Sequence, residues 1–416
     1  MSAATAAAAH RVAVTGLGVV SPHGEDPQDL LAALLRGESA LRPVFPELAR
    51  PAAAATVAFD ASRWFTKLQL AGVDRVSQFA VAAADLAVQD AGGLGDAAPE
   101  RVGVFGGCGM GGATALEAAY RAGMATGAGR VPPLTVPAFM PNAPASHVAM
   151  RQKAQGPVLT YSVACASSAV AIAEAAKAVR RGEVDVAIAG GSEALIVPGV
   201  VMAWQAMQTL AAFPAGDSRA AAAAVKPFAA DRSGFALGEG AAFLVLESEA
   251  RAKARGARAH ALLTGWGHSC DATHLTKPEA AGQARALRMA LQAAGLAPSD
   301  VGYCNAHGTA TRIGDPIERE ALAQVWGDGL GRLKVSSTKA LHGHLLGAAG
   351  ALEAVITVLA LANRQLPPNA HCAEPDPACA LDLVQPGAVE APELEAAVSS
   401  SFAFGGSNAV LLFQRA

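Results

Sequence analysis

The stretch Tyr161-Ser-Val-Ala-Cys165-Ala-Ser-Ser-Ala-Val-Ala-Ile-Ala-Glu174 joins an apolar segment to a run of small residues. The apolar residues 157–163 favour a strand, and the small-residue run favours a helix. Cys165 lies at the junction, where the first N–H groups of a helix point, and the helix dipole favours a thiolate there. Cysteine is also among the residues most often buried, so this stretch alone leaves a nucleophile and a structural cysteine both open.

The composition is that of a chain with a large core and little surface charge. The 416 residues are 52% hydrophobic and only 16% charged. This length allows two ordinary domains or one large duplicated one. The net charge is −3 and no strongly basic block is present, so nucleic-acid binding has little electrostatic support.

Cysteine usage and hydropathy indicate the compartment. The six cysteines form no CxxC pair, and no cysteine and histidine group has zinc spacing, so no metal site is predicted. A long chain with few cysteines is typical of the reduced cytoplasm. Residues 1–10 lack a basic start and are interpreted as a disordered tail rather than a signal peptide. No uninterrupted apolar segment reaches the ~20 residues that span a bilayer, so no membrane partner is predicted.

Apolar strand-like runs alternate with alanine-rich helical runs along the chain, which predicts an α/β fold with a covered sheet. A weak internal repeat accompanies this pattern. Gly238-Glu-Gly-Ala-Ala-Phe-Leu-Val-Leu-Glu247 resembles Phe404-Gly-Gly-Ser-Asn-Ala-Val-Leu-Leu-Phe413, and the run after Cys165 resembles Gly347-Ala-Ala-Gly-Ala-Leu-Glu-Ala-Val-Ile356. We therefore predict two similar halves, residues 11–254 and 255–416, the first with the nucleophile and the second with the histidines.

Two histidine-containing stretches in the second half carry further chemistry. They are Asn305-Ala-His-Gly-Thr-Ala-Thr311 and Ser336-Ser-Thr-Lys-Ala-Leu-His-Gly-His-Leu-Leu-Gly-Ala-Ala-Gly350. Both are glycine-rich and follow strand-like runs, where α/β sheets place their sites. A single histidine in such a loop is more often structural. The combination of His307, His344 and Lys339 with Cys165 favours a nucleophilic site.

These motifs resemble those of the β-ketoacyl-acyl-carrier-protein synthases, condensing enzymes of the thiolase-like superfamily, and the type II elongating members above all. The resemblance runs from residue 11 to about residue 415 and is carried, in order, by Val14-Thr-Gly-Leu-Gly-Val-Val-Ser-Pro22, Ala164-Cys-Ala-Ser-Ser168, the two histidine stretches and Ser401-Phe-Ala-Phe-Gly-Gly-Ser-Asn408. It implies two βαβαβαββ halves in five layers, α-β-α-β-α, normally as a homodimer.

The resemblance also implies roles for the central residues. Cys165 would take an acyl group from a carrier-protein thioester. His307 and His344 would stabilise the enolate that forms when malonyl-carrier protein loses carbon dioxide. Lys339 would orient the two histidines, and Glu353 would be its carboxylate partner, since a buried lysine and a buried glutamate are each costly alone.

Further roles follow from the same resemblance. The backbone N–H groups of Cys165 and Phe404 would form the oxyanion hole. Phe404 would also be a gate that swings when Cys165 is acylated, with Gly405 and Gly406 supplying backbone freedom. Thr309 is a supporting residue of its motif. Met110, in the glycine loop of residues 106–112, would help set the depth of the acyl pocket across a dimer interface.

The implied partners are acyl carrier protein and its malonyl and acyl thioesters. No cofactor is implied apart from the phosphopantetheine that the carrier brings. Two departures stand out: His342 replaces a residue that is often threonine, and the stretch Trp204-Gln-Ala-Met-Gln-Thr-Leu210 is uncharged where an arginine is expected. Basic residues that remain as candidates for docking the acidic carrier are Lys67, Arg75, Arg130, Arg151 and Lys153.

The pathway of the condensation stays open at this point, and so do two other functions, a thiolase and a non-catalytic chain-length factor. The condensation would serve fatty-acid elongation, or the chain would be the ketosynthase subunit of a type II polyketide or polyene pathway, alone or paired with a chain-length-factor-like subunit. A thiolase acting on coenzyme A esters would pair its nucleophile with a histidine and a second cysteine, which fits two histidines less well. A non-catalytic chain-length factor lacks the nucleophile, so Cys165 argues against it.

Overall fold

The computed structural model describes residues 11–126, 130–387 and 389–416. The predicted tail of residues 1–10 lies outside them. The strands are β1 Val12–Val20, β2 Leu41–Val44, β3 Ala52–Ala55, β4 Val102–Gly107, β5 Val158–Tyr161, β6 Val186–Glu193, β7 Leu237–Gly238, β8 Gly240–Ser248, β9 Ala261–Cys270, β10 Tyr303–Asn305, β11 Lys334–Ser336, β12 Gln365–Leu366, β13 Asp382–Leu383, β14 Val389–Glu390, β15 Ala396–Ala403 and β16 Ser407–Gln414. The helices are α1 Pro27–Leu35, α2 Arg75–Asp90, α3 Ala113–Thr126, α4 Thr135–Phe139, α5 Ala143–Gln152, α6 Ser167–Arg180, α7 Pro198–Ala206, α8 Ser218–Ala222, α9 Glu249–Ala254, α10 Ala280–Ala294, α11 Gly314–Trp326, α12 Lys339–His342 and α13 Ala349–Asn363.

The main sheet shows the duplication directly. Its strand order is β13-β11-β10-β15-β16-β9-β1-β8-β6-β4-β5. This order contains two matching runs, β1-β8-β6-β4-β5 and β9-β16-β15-β10-β11. In both runs the first two pairings are antiparallel and the next two are parallel. The predicted duplicated, thiolase-like architecture is therefore confirmed. The boundary at residues 254 and 255, between α9 and β9, stays a prediction.

Helices α6 and α13 form the middle layer between the two half-sheets. Each follows the parallel edge of its own half, α6 after β5 and α13 after β11. They pack so closely that a Cβ on Gly350 would lie 2.8 Å from the Cβ of Ala169. Helices α2 and α5 cover the outer face of the first half, and α10 and α11 cover that of the second. The result is the five-layer α-β-α-β-α packing that the resemblance implied.

Burial explains the strongest apolar stretch of the sequence. Residues 346–363 are long and apolar enough to cross a membrane, but 89% of this segment is buried inside the fold. A helix that is hydrophobic on all sides belongs in a core when both its faces are covered. The segment contains α13, which contacts strands of both halves and thus serves as a core helix.

The topology brings four loops to one region. Cys165 follows β5, His307 follows β10, His344 follows β11 and Phe404 follows β15. Strand β10 lies between β11 and β15 and is parallel to both, so the carboxyl ends of the three strands lie at the same edge of the sheet. Ligand sites of α/β sheets lie at that edge. Cys165 comes from the other half, where it lies just before the N-terminus of the middle helix α6.

Candidate active site

The loops enclose a cavity of about 660 Å³ with Cys165, His307 and His344 in its lining. The sulfur of Cys165 and one ring nitrogen of each histidine lie within 4.8 Å of one another. The first half contributes the thiol and the second half contributes both imidazoles. The structure thus brings together three side chains that are far apart in sequence.

A strained turn places Cys165. Ala164 has φ 46, an unusual value for a residue other than glycine. The Ser167 hydroxyl donates to the Ala164 carbonyl at 2.6 Å, and the Val163 N–H donates to that same hydroxyl at 2.8 Å. These bonds hold the sharp passage from β5 into α6. Positive φ also occurs at Ala310, three residues after His307, and at Leu346, two residues after His344. Backbone strain of this kind clusters at functional sites.

The resting charge of Cys165 differs from the expectation. The helix N-terminus was expected to favour a thiolate, but burial raises the pKa of the thiol to about 12, with Lys339 acting in the opposite direction. Desolvation outweighs the dipole because the sulfur is almost fully removed from water. The Nε2 atom of His344 lies 3.1 Å from the sulfur. The nucleophile therefore rests as a thiol within hydrogen-bonding distance of an imidazole.

Backbone and aromatic contacts fix His344. The backbone N–H of His344 donates to the Ala236 carbonyl at 2.7 Å, and its backbone carbonyl accepts from the Gly238 N–H at 2.9 Å. The Phe235 ring packs edge-on against the imidazole with centroids 5.3 Å apart. Residues from the first half thus hold a histidine of the second.

His307 is held by a buried carboxylate. Glu318 on α11 accepts hydrogen bonds from the N–H groups of His307 and Gly308, each at 2.7 Å. The Ser337 hydroxyl donates to the Gly308 carbonyl at 2.7 Å. The His307 ring meets the His344 ring edge to face, with centroids 5.5 Å apart. The sequence does not predict this role of Glu318, because an acidic residue in a helix normally indicates a solvated face.

The surroundings of both imidazoles favour their neutral form. Burial, followed by the charge of Lys339 and a neighbouring imidazole, lowers the pKa of His307 and His344 well below the ordinary 6.5. A neutral imidazole can accept a proton through one nitrogen and donate through the other. The pair can therefore receive the thiol proton and donate hydrogen bonds to an oxyanion.

Lys339 and Glu353 form a fully buried ion pair behind the histidines. Burial raises the pKa of Glu353 to about 7, and Lys339 opposes this shift. The predicted pairing of these two residues is seen in the structure. Thr309 is buried, lines the cavity and lies with its hydroxyl 3.2 Å from that of Thr311.

Phe404 lies at the cavity wall, half-buried and stacked on Trp204 with ring centroids 6.0 Å apart. Gly405 and Gly406 follow it with φ 85 and φ 71, values that favour glycine. The position suits a gate. Its movement, and the part of its N–H in an oxyanion hole, stay predictions.

Met110 does not line the cavity of the single chain. Its side chain is 53% exposed, and its N–H donates to Glu193 at 3.4 Å. Its predicted place in an acyl pocket depends on a second subunit and stays a prediction.

His342 is a buried structural residue. Its Nδ1 lies 2.7 Å from the Gly343 carbonyl and its Nε2 lies 2.9 Å from the Thr338 hydroxyl. A carbonyl can only accept, so Nδ1 carries the proton and Nε2 accepts from the hydroxyl. Burial lowers the pKa of His342 to about 3. The ring thus ties the ends of α12 together as a neutral group.

The basic residues proposed for carrier docking do not line the cavity. Arg75 is paired with Glu239, and Arg151 is paired with Asp85. The cavity lining instead contains Lys277 and Arg312, which were not singled out in the sequence. Both are exposed. The remaining candidates are exposed on the surface: Lys67, Arg130 and Lys153.

Comparison with known proteins agrees with this geometry. The description "Beta-ketoacyl synthase, N-terminal domain" matches residues 9–252, and "Beta-ketoacyl synthase, C-terminal domain" matches residues 260–373. The 3-oxoacyl-[acyl-carrier-protein] synthase 2 of Staphylococcus aureus (strain N315) is 37% identical over 412 residues, which is 97% of this chain and 98% of that protein. Nodulation protein E of Rhizobium sp. (strain N33) is 39% identical over 409 residues, 97% of this chain and 99% of that protein.

A solved structure extends the likeness to the fold. The ishigamide ketosynthase/chain length factor has a TM-score of 0.90 to this chain at 33% identity, and the match covers 98% of this chain and 100% of that one. Sequence relatives over nearly the full length and matches to both halves show that the chain belongs to the β-ketoacyl synthase family of condensing enzymes.

Proposed function

We propose that the protein condenses an acyl group held on Cys165 with malonyl-acyl-carrier protein and releases 3-oxoacyl-carrier protein and carbon dioxide. The observation that carries this proposal is the thiol with two neutral imidazoles in one buried cavity. A thiol and one imidazole suffice for acyl transfer. The second imidazole supplies a further donor for the enolate that decarboxylation produces.

The acyl-transfer step begins at the Cys165 sulfur. His344 takes the thiol proton through Nε2 while the sulfur attacks the thioester carbonyl, the sulfur–carbon bond to the carrier breaks, and the proton leaves on the carrier thiol. The N–H groups of Cys165 and Phe404 donate to the carbonyl oxygen during the attack. Lys339 forms an ion pair with Glu353, and its charge acts on the imidazoles of His307 and His344.

Decarboxylation then takes place in the same cavity. The malonyl carboxylate leaves as carbon dioxide, and the electron pair moves onto the thioester enolate, to which His307 and His344 donate hydrogen bonds. The enolate carbon attacks the acyl carbonyl, the bond to the Cys165 sulfur breaks, and the released thiolate takes up a proton from solvent to return to the resting thiol. Phe404 would leave Trp204 when Cys165 is acylated and open the malonyl side. If so, Phe404→Ala releases carbon dioxide from malonyl-carrier protein faster than the native protein when neither is acylated.

The carrier protein would dock over the cavity mouth. Lys277 and Arg312 stand there beside the exposed apolar side chains of Met207, Leu275 and Ile313. Within the described residues neither cation forms an ion pair. An acidic carrier with a phosphopantetheine arm complements such a cationic and apolar rim. The docking site would then lie away from the basic residues that the sequence suggested.

A second subunit would cover β5. This strand pairs with β4 on one side only and ends the main sheet. Val158 and Leu159 are exposed on it, and Met140 and Val136 lie exposed in the preceding segment. An open apolar edge is a template for pairing with another chain. We assign it to a second copy, with a chain-length-factor-like subunit as the alternative partner.

Fatty-acid elongation in the cytoplasm is the pathway we propose. The chain carries the thiol, both histidines and the ion pair in one protomer, so it needs no catalytic group from another subunit. The polyketide or polyene pathway is the second candidate, and the uncharged stretch of residues 204–210 favours a dedicated carrier there.

A loading assay tests the function. Intact-protein mass spectrometry should show an acyl adduct on the native protein after incubation with acyl-carrier protein. Cys165→Ala should show no adduct and still release carbon dioxide from malonyl-carrier protein. A ladder of acyl chains on several carriers would separate the two pathways. Absence of any adduct on the native protein would contradict the function itself.

A further inference from the structure

Glu193, at the end of β6, is a fully buried carboxylate with four neutral donors around it. Its Oε2 accepts from the N–H groups of Gly109 at 2.7 Å and Gly347 at 2.9 Å. Its Oε1 accepts from the Met110 N–H at 3.4 Å and lies 3.8 Å from the Cys108 sulfur. Burial raises the pKa of Glu193 to about 7, and the backbone donors oppose that shift.

The donors belong to two separate segments of the active site. Cys108, Gly109 and Met110 belong to the glycine loop of residues 106–112, in the first half. Gly347 lies in the short 3₁₀ turn Leu346–Ala348 of the second half, three residues after His344. Glu193 therefore bridges the halves at a point next to a catalytic imidazole.

The two segments approach each other as closely as backbone allows. A Cβ on Gly109 or on Gly347 would lie 2.5 Å from the Glu193 Oε2 atom, and the latter would also collide with the Gly109 N. Both glycines are thus required by the contact. The carboxylate fills the space that remains and accepts the N–H groups that would otherwise be buried without a partner.

The glycine loop also contacts the segment that leads to Cys165. The Cys108 N–H donates to the Tyr161 carbonyl at 3.2 Å. The Ser162 hydroxyl donates to the Gly109 carbonyl at 3.1 Å. A chain of contacts therefore runs from the Cys165 turn through the glycine loop and Glu193 to the turn after His344.

We propose that Glu193 is a positioning residue of the acyl-transfer step, which holds the Cys165 turn and His344 at hydrogen-bonding distance by linking the glycine loop to Gly347. The inference rests on the proposed function for its kinetic part. Its alkylation part depends only on the thiol and is independent of any substrate.

Glu193→Gln is the main test. The amide keeps the shape but turns an NH₂ group toward backbone N–H donors, and the loss of buried hydrogen bonds should slow acyl transfer to Cys165 about tenfold. The KM for acyl-carrier protein should change less than twofold, because Glu193 lies away from the cavity mouth. The matched control is Glu247→Gln, another fully buried carboxylate, which pairs with Arg255. Glu247 lies beside the start of β6, whereas Glu193 lies at its end.

Gly347→Ala separates position from charge. It forces the two segments apart and keeps the carboxylate, so it should slow acyl transfer as Glu193→Gln does. Gly331→Ala is its control, because a Cβ there meets nothing within 4 Å.

The iodoacetamide alkylation of Cys165 is then followed against pH by mass spectrometry. Burial is the main cause of the raised thiol pKa and the Glu193 charge adds to it, so alkylation should begin at lower pH in Glu193→Gln and at the native pH in Gly347→Ala.

The outcomes are distinct. Acyl transfer within twofold of native in both Glu193→Gln and Gly347→Ala would overturn the proposal, and so would an equal slowing in Glu247→Gln. If Glu193→Gln does not fold, Gly347→Ala with its control decides. If the native protein never loads an acyl group but the alkylation profile moves as stated, the proposed function fails while the contact between Glu193 and the thiol's surroundings stands.

Discussion

His344 and His307 differ in their relation to the nucleophile at the scale of single residues. Only the His344 ring has a nitrogen within hydrogen-bonding distance of the Cys165 sulfur, at 3.1 Å. We expect His344→Ala to slow acylation of Cys165 by about 10²-fold, the low end of general-base effects. His307→Ala should keep acylation within a fewfold of native, and both variants should lose carbon dioxide release.

The measurement is acyl loading by mass spectrometry beside ¹⁴CO₂ release from labelled malonyl-carrier protein. His307→Ala is the matched control for His344→Ala, because both remove a buried imidazole from the same cavity. Equal acylation rates in the two variants would mean that the 3.1 Å contact has no part in proton transfer.

The Lys339 charge makes a separate prediction about pH. Its charge is one cause of the low pKa of both histidines, after burial itself. Because these pKa values lie well below 6.5, imidazole protonation should not lower the native rate between pH 8 and pH 6. Lys339→Met with Glu353→Gln removes both charges of the ion pair, raises the pKa of the histidines and should move the acid limb to higher pH.

A pH–rate profile of carbon dioxide release checks this. Glu353→Gln is paired with the lysine change because a glutamate left alone in the core would be costly. The prediction is wrong if the double variant and the native protein lose activity at the same pH.

Strand β5 carries the prediction at the scale of secondary-structure elements. Leu159→Lys places a charge on the open edge, where Leu159 is 45% exposed. A charge on an edge strand prevents pairing with another chain. We expect the native protein to be a dimer and the variant to shift toward monomer in multi-angle light scattering.

Met289→Lys on α10 is the matched control, since Met289 is also 45% exposed and lies on an outer helix. It should leave the dimer intact. A monomeric native protein, or an unchanged dimer in Leu159→Lys, would exclude β5 as the interface.

At the scale of the whole molecule, the positive charge at the cavity mouth contrasts with the negative net charge of the chain. The net charge is −3, so a carrier of like sign must meet a local cationic site. Lys277→Glu with Arg312→Glu should raise the KM for acyl-carrier protein about tenfold and leave alkylation of Cys165 unchanged. The native KM should rise with ionic strength, and that of the variant should not.

Lys253→Glu is the control, on α9, which follows β8 where that strand lies beside the start of β6 rather than its end. Lys67→Glu tests the docking residues that the sequence suggested. A larger rise of KM in Lys67→Glu than in the double variant would return the docking site to that surface.

The sequence by itself determined the architecture and the reaction. Local patterns predict the α/β class and the two similar halves, and contiguous motifs such as Asn305-Ala-His-Gly-Thr309 carry the family resemblance that implies the five layers and the reaction. The same resemblance implied the pairing of Lys339 with Glu353, and the cost of burying either charge alone supports it. These features depend on residue type and order alone.

Tertiary structure decided everything that depends on solvent exclusion and on contacts between distant segments. Cys165 rests as a thiol because burial outweighs the helix dipole, which no local pattern reports. Glu193 holds active-site loops from the end of a strand, and Glu318 does so from the interior of a helix, positions that look ordinary in the sequence. Lys277 and Arg312 meet at the cavity only because loops 35 residues apart fold to one rim. Desolvation and long-range proximity are properties of the folded chain, so they appear only when the two halves are packed together.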